Sequence, residues 1–410
     1  MEGSNDPLAA LRAHTAAREA AGLRRRLVPR EPGAAVLDLA SNDYLGLSGH
    51  PRLAEAAARA ARTWGTGSTG SRLVTGTTAL HEELEEALAD FAGAASALVF
   101  SSGYLANLAA VTALAAALAP PGDPDGVLII SDEGNHASLI DGCRLATRGG
   151  RGRGGARLVV TPHNDLAAVA HALANRTERA ALIVCDAVFS VAGDLAPVAG
   201  LHALARQHGG VLLLDEAHSF GVLGEGGRGI AYDTGLAAQP DLVRTITLSK
   251  SLSGQGGAVL GAPEVRETLI DTGRSMIFDT GLAPPAAGAA LAALGIIREN
   301  PELPQKAIQV TKRLAGIATH LGLAASEPAA AVASVILADP RLAVAAQQAC
   351  ASHGVRVGCF RPPSVPAGGA CLRLTGRASL TEIDMATASR ALAAVRDHSR
   401  IPENSGGRAP

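Results

Sequence analysis

Seven short apolar runs rich in Val, Leu and Ile constrain this chain more than any other feature. They lie at 97–101, 127–131, 158–161, 182–186, 211–215, 244–248 and 258–261. A strand with one wet face alternates apolar and polar residues, whereas a continuous run needs cover on both faces. Segments of helical period stand between the runs. Leu80, Leu84, Leu88 and Phe91 fall on one helix face, with Thr78 as N-cap and Glu82 and Glu83 in the first turn. Helices alternating with doubly covered strands predict an α/β fold with a mostly parallel, seven-stranded sheet.

The 410 residues divide into an N-terminal helix and arm (1–50), a large domain (51–290), a smaller α+β C-terminal domain (291–397) and a disordered tail (398–410). Aromatic residues are only 2% of a chain that is 47% hydrophobic, so the core must be close-packed Ala, Val, Leu and Ile. The apolar segment 105–119 contains Asn107 and stops at Pro120-Pro121. It is too short to cross a bilayer and reads as a core helix. A net charge of −2, with one short basic cluster at Arg24-Arg25-Arg26, points to neither nucleic acid nor a membrane. The Arg/Gly run at 148–157 reads as a mobile loop. Five cysteines, an odd number without C-x-x-C, indicate reduced thiols of a cytoplasmic protein, with no disulfide framework or metal site. The start, MEGSNDPLAALRAHT, lacks the form of a signal peptide.

Residues 65–70, GTGSTG, match the G-x-G-x-x-G fingerprint of a dinucleotide turn. That turn needs a strand before it and a helix opening on it. Here a helix (51 to about 62) precedes and a loop (71–77) follows, so the glycines read as turn formers. GEGGRG at 224–229 has equally wrong flanks.

Three strand ends carry chemistry. Asp215-Glu-Ala-His218 follows VLLL, Ser190 follows Asp186-Ala-Val-Phe, and Thr247-Leu-Ser-Lys250 follows VRTI. In open α/β sheets the carboxyl ends of strands face the ligand crevice. Singly, each has an ordinary reading: a cap, a satisfied buried histidine, a surface lysine. Together they meet the needs of pyridoxal 5'-phosphate: a lysine for its aldehyde, a carboxylate for its ring nitrogen, a flat partner, and donors for its phosphate. Gly103 and Tyr104, at a strand-to-helix junction, can offer amides to phosphate, and His136 an imidazole to stack.

Seven motifs then coincide: SNDYLGL (41–47), GSTGSRLVTG (67–76), SSGYLAN (101–107), NHASLIDG (135–142), DAVFSVAGDLAPV (186–198), DEAHSFGVLGEGGRG (215–229) and TLSKSL (247–252). Together they resemble the α-oxoamine synthases over roughly 7–395. These are fold-type I, aspartate aminotransferase-like pyridoxal-phosphate transferases that condense an amino acid with an acyl thioester and release CO2.

The resemblance implies that Lys250 carries the cofactor, Asp215 partners its ring nitrogen, His136 stacks on it and His218 meets its phenolic oxygen. Ser190, Thr247, Gly103 and Tyr104 would also contact it, and Thr280 would reach the phosphate from the other subunit of a homodimer. Arg361 and Asn42 would hold the amino-acid carboxylate; Arg24 and Ser364 would lie at the acyl end. GLRRRL (22–27), FRPPSVPAG and CLRLT (360–375) look most like members joining L-alanine to a pimeloyl thioester, on CoA or a carrier protein. Ser219 and Ser364 depart from that pattern, and sister enzymes use glycine or serine with other acyl groups. A catalytically silent scaffold is the reading from another class, against which Lys250, Asp215 and His136 all speak.

Overall fold

The structure, a computed structural model, describes residues 6–119, 126–148 and 155–399. In spatial order its main sheet runs Ser96–Phe100, Gly257–Gly261, Leu242–Thr247, Val211–Asp215, Ala180–Asp186, Val127–Asp132, Ala156–Thr161. Gly257–Gly261 is antiparallel to both neighbours, and the other pairs are parallel. The fold is therefore the α/β, mostly parallel seven-stranded one expected.

Each strand's side chains divide between two cores. Val127 and Ile129 pack with Leu182, Val184 and Leu213 on one face. Leu128 and Ile130 pack with Ile183, Cys185, Leu212 and Leu214 on the other. Successive residues point to opposite faces, so a strand buried on both must be apolar throughout. The helices Gly103–Leu118, Pro263–Thr272 and Arg274–Ile277 cover the first face, and Leu166–Ala174 and Val198–Gln207 the second.

Gly103–Leu118 begins earlier than its apolar stretch because Ser102 Oγ caps it, accepting from Leu105 N at 3.2 Å. Among the described residues no helix is long and apolar enough to cross a membrane. Residues 149–154 of the expected mobile loop, and 400–410 of the expected tail, lie outside the described residues. The helix Glu382–Ser399 continues past the start assigned to that tail.

The glycine stretch at 65–70 is a loop between the helix Pro51–Trp64 and residues 71–77. It is pinned by Gly281 N donating to Gly70 O and by the buried Arg72–Glu85 ion pair at 2.9 Å. It opens no helix and has no strand before it, which removes the dinucleotide reading.

A second sheet, Gly358–Phe360, Ala370–Thr375 and Val332–Ala338, is antiparallel. The helices Leu303–His320, Pro340–Ser352 and Glu382–Ser399 pack with it. The N-terminal arm joins this layer. Leu37–Asp38 pairs parallel with Val355–Arg356, Thr375 N donates to Leu39 O at 2.8 Å, and Leu39 is buried with Leu314, Leu372 and Leu374. The chain then turns from this layer toward the main sheet at Asn42–Tyr44.

Strand and helix meet closely at Gly257 and Gly103. A Cβ on Gly257 would lie 2.5 Å from Gly103 Cα. Gly257→Ala is expected to lower stability by about 1–3 kcal/mol through overpacking, read as a lower urea midpoint of the cofactor-free protein.

Candidate active site

Asp186, Asp215 and Thr247 end three adjacent parallel strands, with Asp186 in register with Asp215. Strand register alone thus gathers two carboxyls and a hydroxyl on one rim. Lys250, three residues past its strand, comes back over this rim, and Lys250 Nζ lies 2.7 Å from His218 Nε2. His218 Nδ1 is 2.5 Å from the Tyr44 hydroxyl.

Burial weakens the Lys250 ammonium and brings its pKa down to about 8; nearby Arg373 acts in the same direction, while Asp215 and Asp186 oppose it. Burial, then Lys250 and Arg373, hold His218 well below the usual imidazole range, so it is neutral. Desolvation also lowers His136.

Asp215 is gripped on both oxygens. Asn107 Nδ2 donates to Oδ2 at 2.6 Å and Ala217 N to Oδ1 at 2.8 Å. Asn107 in turn accepts from Thr245 Oγ1 at 2.6 Å and donates to Ser138 Oγ at 2.8 Å. The polar residue inside the apolar helix is therefore the one that orients the acid. Asp186 Oδ2 accepts from His136 N at 2.6 Å, and His136 Nδ1 lies 2.7 Å from Ser138 Oγ. Burial, with Asp215 beside it, raises Asp186 well above the carboxylate range. At this rim Asp186 holds the His136 backbone.

The start of helix Gly103–Leu118 faces the same rim, where a Gly103 Cβ would be 3.1 Å from Thr247 Cβ. First-turn amides have no intrahelical partner and suit an anion. Thr247 Oγ1 and Ser249 Oγ stand 2.7 Å apart beside them. The Tyr104 side chain turns away and donates to Asp141 Oδ2 at 2.6 Å, leaving its amide as the group available here.

One expected pairing differs. Asn42 Oδ1 accepts from Arg373 Nη2 at 2.7 Å, and Arg373 Nη1 donates to Ser190 O at 3.0 Å. Arg373 is buried, its Nε has no hydrogen-bond partner, and its guanidinium lies 4.9 Å from the centre of the Phe360 ring. A buried cation with a spare donor and, among the described residues, no acidic partner is suited to a carboxylate ligand. Arg361, expected in that place, donates instead to Gly22 O. Arg361 belongs to an irregular loop and meets the arm, whereas Arg373 lies within the strand Ala370–Thr375, whose register carries it inward.

The acyl-end residues also shift partners. Ser364 Oγ accepts from Arg25 at 3.0 Å, while Arg24 pairs with Glu19. The arm and the loop at 361–364 still form one rim. Ser219 is buried 3.1 Å from Glu216 Oε1, so its hydroxyl is engaged inside the protein. Thr280 lies apart on the surface, bridged to Ser71.

Sequence reasoning passed over Arg373, Tyr44, Asn107 and Asp186 as site residues. Three carried a signal: Arg373 as a charge inside a buried strand, Asn107 as a lone amide in an apolar helix, and Asp186 as an acid at a strand end; Tyr44 carried none.

The rim has the donor set that pyridoxal 5'-phosphate requires: a weakly basic lysine, a fixed carboxylate, a neutral histidine pair, and helix amides with hydroxyls. Residues 34–392 match the family described as aminotransferase class I and II. An 8-amino-7-oxononanoate synthase of Mycolicibacterium vanbaalenii is 55% identical over 392 residues, covering 96% of this chain and 98% of that one. Among solved structures, a serine palmitoyltransferase from S. paucimobilis with a bound PLP–myriocin aldimine superposes with a TM-score of 0.85. It is 30% identical and covers 97% of this chain and 100% of its own. An 8-amino-7-oxononanoate synthase from Francisella tularensis gives a TM-score of 0.71 at 26% identity, covering 88% and 97%.

The lowered Lys250 pKa has a stability consequence. Between about pH 8 and 10.5 the unfolded chain keeps a proton that the folded amine has released. Stability of the cofactor-free protein should rise with pH across that window relative to Lys250→Met. Urea unfolding of both proteins at several pH values checks this; a flat or falling difference contradicts it.

Proposed function

We infer the function from one premise: the chain belongs to the aminotransferase class I and II family. Within it, we propose decarboxylative condensation of L-alanine with a pimeloyl thioester, on CoA or a carrier protein. The products are 8-amino-7-oxononanoate, CO2 and the free thiol, a step of biotin biosynthesis. The observation that carries this is the Lys250 amine, brought near neutrality by burial and placed against His218 on the strand-end rim. The 55% identity to the Mycolicibacterium vanbaalenii synthase supports the substrates.

Pyridoxal 5'-phosphate, when bound, supplies an aldehyde for amines and a ring that accepts the electrons left on the substrate carbon. Lys250 would hold it covalently, and Asp215, oriented by Asn107 and Ala217 N, would keep its ring nitrogen protonated. His136 would lie against the ring, and His218 would donate to its phenolic oxygen. The amides of Gly103 and Tyr104, with Thr247 and Ser249, would hold the phosphate; Ser190 would line the ring's edge.

Lys250, once displaced by alanine, is the base for the Cα proton, because an amine of pKa about 8 holds far more free base near physiological pH than an ordinary lysine does. Arg373 and Asn42 would grip the alanine carboxylate. That carboxylate later leaves as CO2, so the grip must orient without being too tight. His136 would give a proton to the new keto oxygen, and Lys250 would return one to carbon. Arg24, Arg25 and Ser364 would form the acyl rim, with Arg361 holding the arm in place.

We place the protein in the cytoplasm as a homodimer. Leu73, Val74 and Phe278, all exposed near the Ser71–Thr280 bridge, form an apolar patch a second copy would cover, bringing its Thr280 toward the phosphate. The likeness to serine palmitoyltransferase favours one second reading, condensation of serine with a long acyl thioester. Purified protein supplied with alanine, glycine or serine and with pimeloyl, acetyl, succinyl or palmitoyl thioesters separates the two. Alanine with pimeloyl thioester should give product fastest, and faster turnover of serine with palmitoyl thioester would overturn the assignment.

Three variants test the roles. Lys250→Ala should lower turnover by at least about 100-fold. Arg373→Met should raise KM for alanine about 10- to 100-fold, the loss of one charge-assisted contact, while Arg361→Met changes it by less than about fivefold. The reverse order would return the carboxylate site to Arg361.

A further inference from the structure

Tyr44 is fully buried, yet its hydroxyl lies among the reacting groups. It is 2.5 Å from His218 Nδ1 and 3.3 Å from Asn42 Oδ1. His218 Nε2, on the far side of the ring, is 2.7 Å from Lys250 Nζ. Tyr44 therefore bridges the Asn42–Arg373 end of the site to the His218–Lys250 end through hydroxyl and imidazole.

A neutral imidazole carries one ring proton, and its partners decide where. With the proton on Nδ1, Tyr44 would accept it and would have to send its own proton to Asn42 Oδ1 across 3.3 Å, leaving Nε2 a bare acceptor. With Tyr44 donating to Nδ1 across 2.5 Å, the ring proton sits on Nε2. The distances favour the second arrangement, and Asn42 Oδ1 is already engaged by Arg373 Nη2 at 2.7 Å. Burial pushes the Tyr44 hydroxyl well above its usual pKa, so it remains a donor.

We propose that Tyr44 is a positioning residue that fixes His218 as the Nε2–H tautomer, making the imidazole a hydrogen-bond donor on the side of Lys250. The inference deepens the proposed function, since a donor at Nε2 is what a phenolic oxygen beside the lysine requires. An acceptor there would repel that oxygen and compete for the amine's protons. Asn42–Tyr44 are held at this point by the arm, where Leu37–Asp38 pairs with Val355–Arg356 and Leu39 O accepts from Thr375 N, so the tautomer depends on that arm.

The test is 15N-histidine NMR on the full-length protein with pyridoxal 5'-phosphate bound, so that Lys250 presents no free ammonium to Nε2, taking the His218 resonance as the one lost in His218→Gln. The wild type is expected to carry the proton on Nε2; a proton on Nδ1 overturns the proposal, whatever any variant does. In Tyr44→Phe the proton should shift to Nδ1 or divide between the two nitrogens. Turnover should fall about tenfold or more with KM for alanine changed less than about threefold, because Asn42 and Arg373 remain. An unchanged tautomer in folded Tyr44→Phe overturns the role and leaves the proposed reaction standing. A shifted tautomer in a protein whose wild type makes no product from alanine and pimeloyl thioester upholds the role and overturns the reaction.

Discussion

An amine enclosed at the carboxyl edge of a parallel sheet is the constraint on which the rest of this structure turns. Burial makes the charged form of Lys250 costly, and that cost is what makes the amine useful as a base and a nucleophile. The surroundings must then avoid trapping the proton. His218 is neutral, and Asp186, its pKa pushed up by burial, is occupied with the His136 backbone. Asp215 is tied on both oxygens to Asn107 and Ala217. The groups that could neutralise the lysine by ion pairing are thus each committed elsewhere.

Those commitments come from distant parts of the chain. Strand register supplies Asp186, Asp215 and Thr247. The helix Gly103–Leu118 supplies its N-terminal amides to one side and Asn107 to the acid. The C-terminal sheet supplies Arg373, and the N-terminal arm, locked into that sheet through Leu37–Leu39, supplies Asn42 and Tyr44. The arm is therefore part of the site's wall. Cutting or loosening it would disturb the contacts of His218 although it lies more than 170 residues away.

Much of this was legible beforehand. The seven strands were readable because each divides its side chains between two cores, which forces a local pattern such as that of Val127–Asp132. Lys250, Asp215 and His218 were readable because polar residues directly after such runs stand at the functional edge. The arginine that faces Asn42 was not. Arg361 and Arg373 are both basic residues near the C-terminus, twelve positions apart, and only strand pairing tells which one points inward. Nor did the sequence reveal that Tyr104 turns its ring outward, or that Arg25 and not Arg24 meets Ser364.

The sequence by itself determined the layers, the strand ends that bear chemistry and the kind of cofactor they suit. These follow from residue type and short-range periodicity, which nearest neighbours impose. Tertiary structure alone decided which arginine faces Asn42, which acid burial pushes up, and which side of His218 faces the lysine. Those outcomes depend on desolvation and on distances between residues 42, 44, 186, 218, 250 and 373. No local pattern encodes such distances; packing sets them when the two sheets and the arm close on one another.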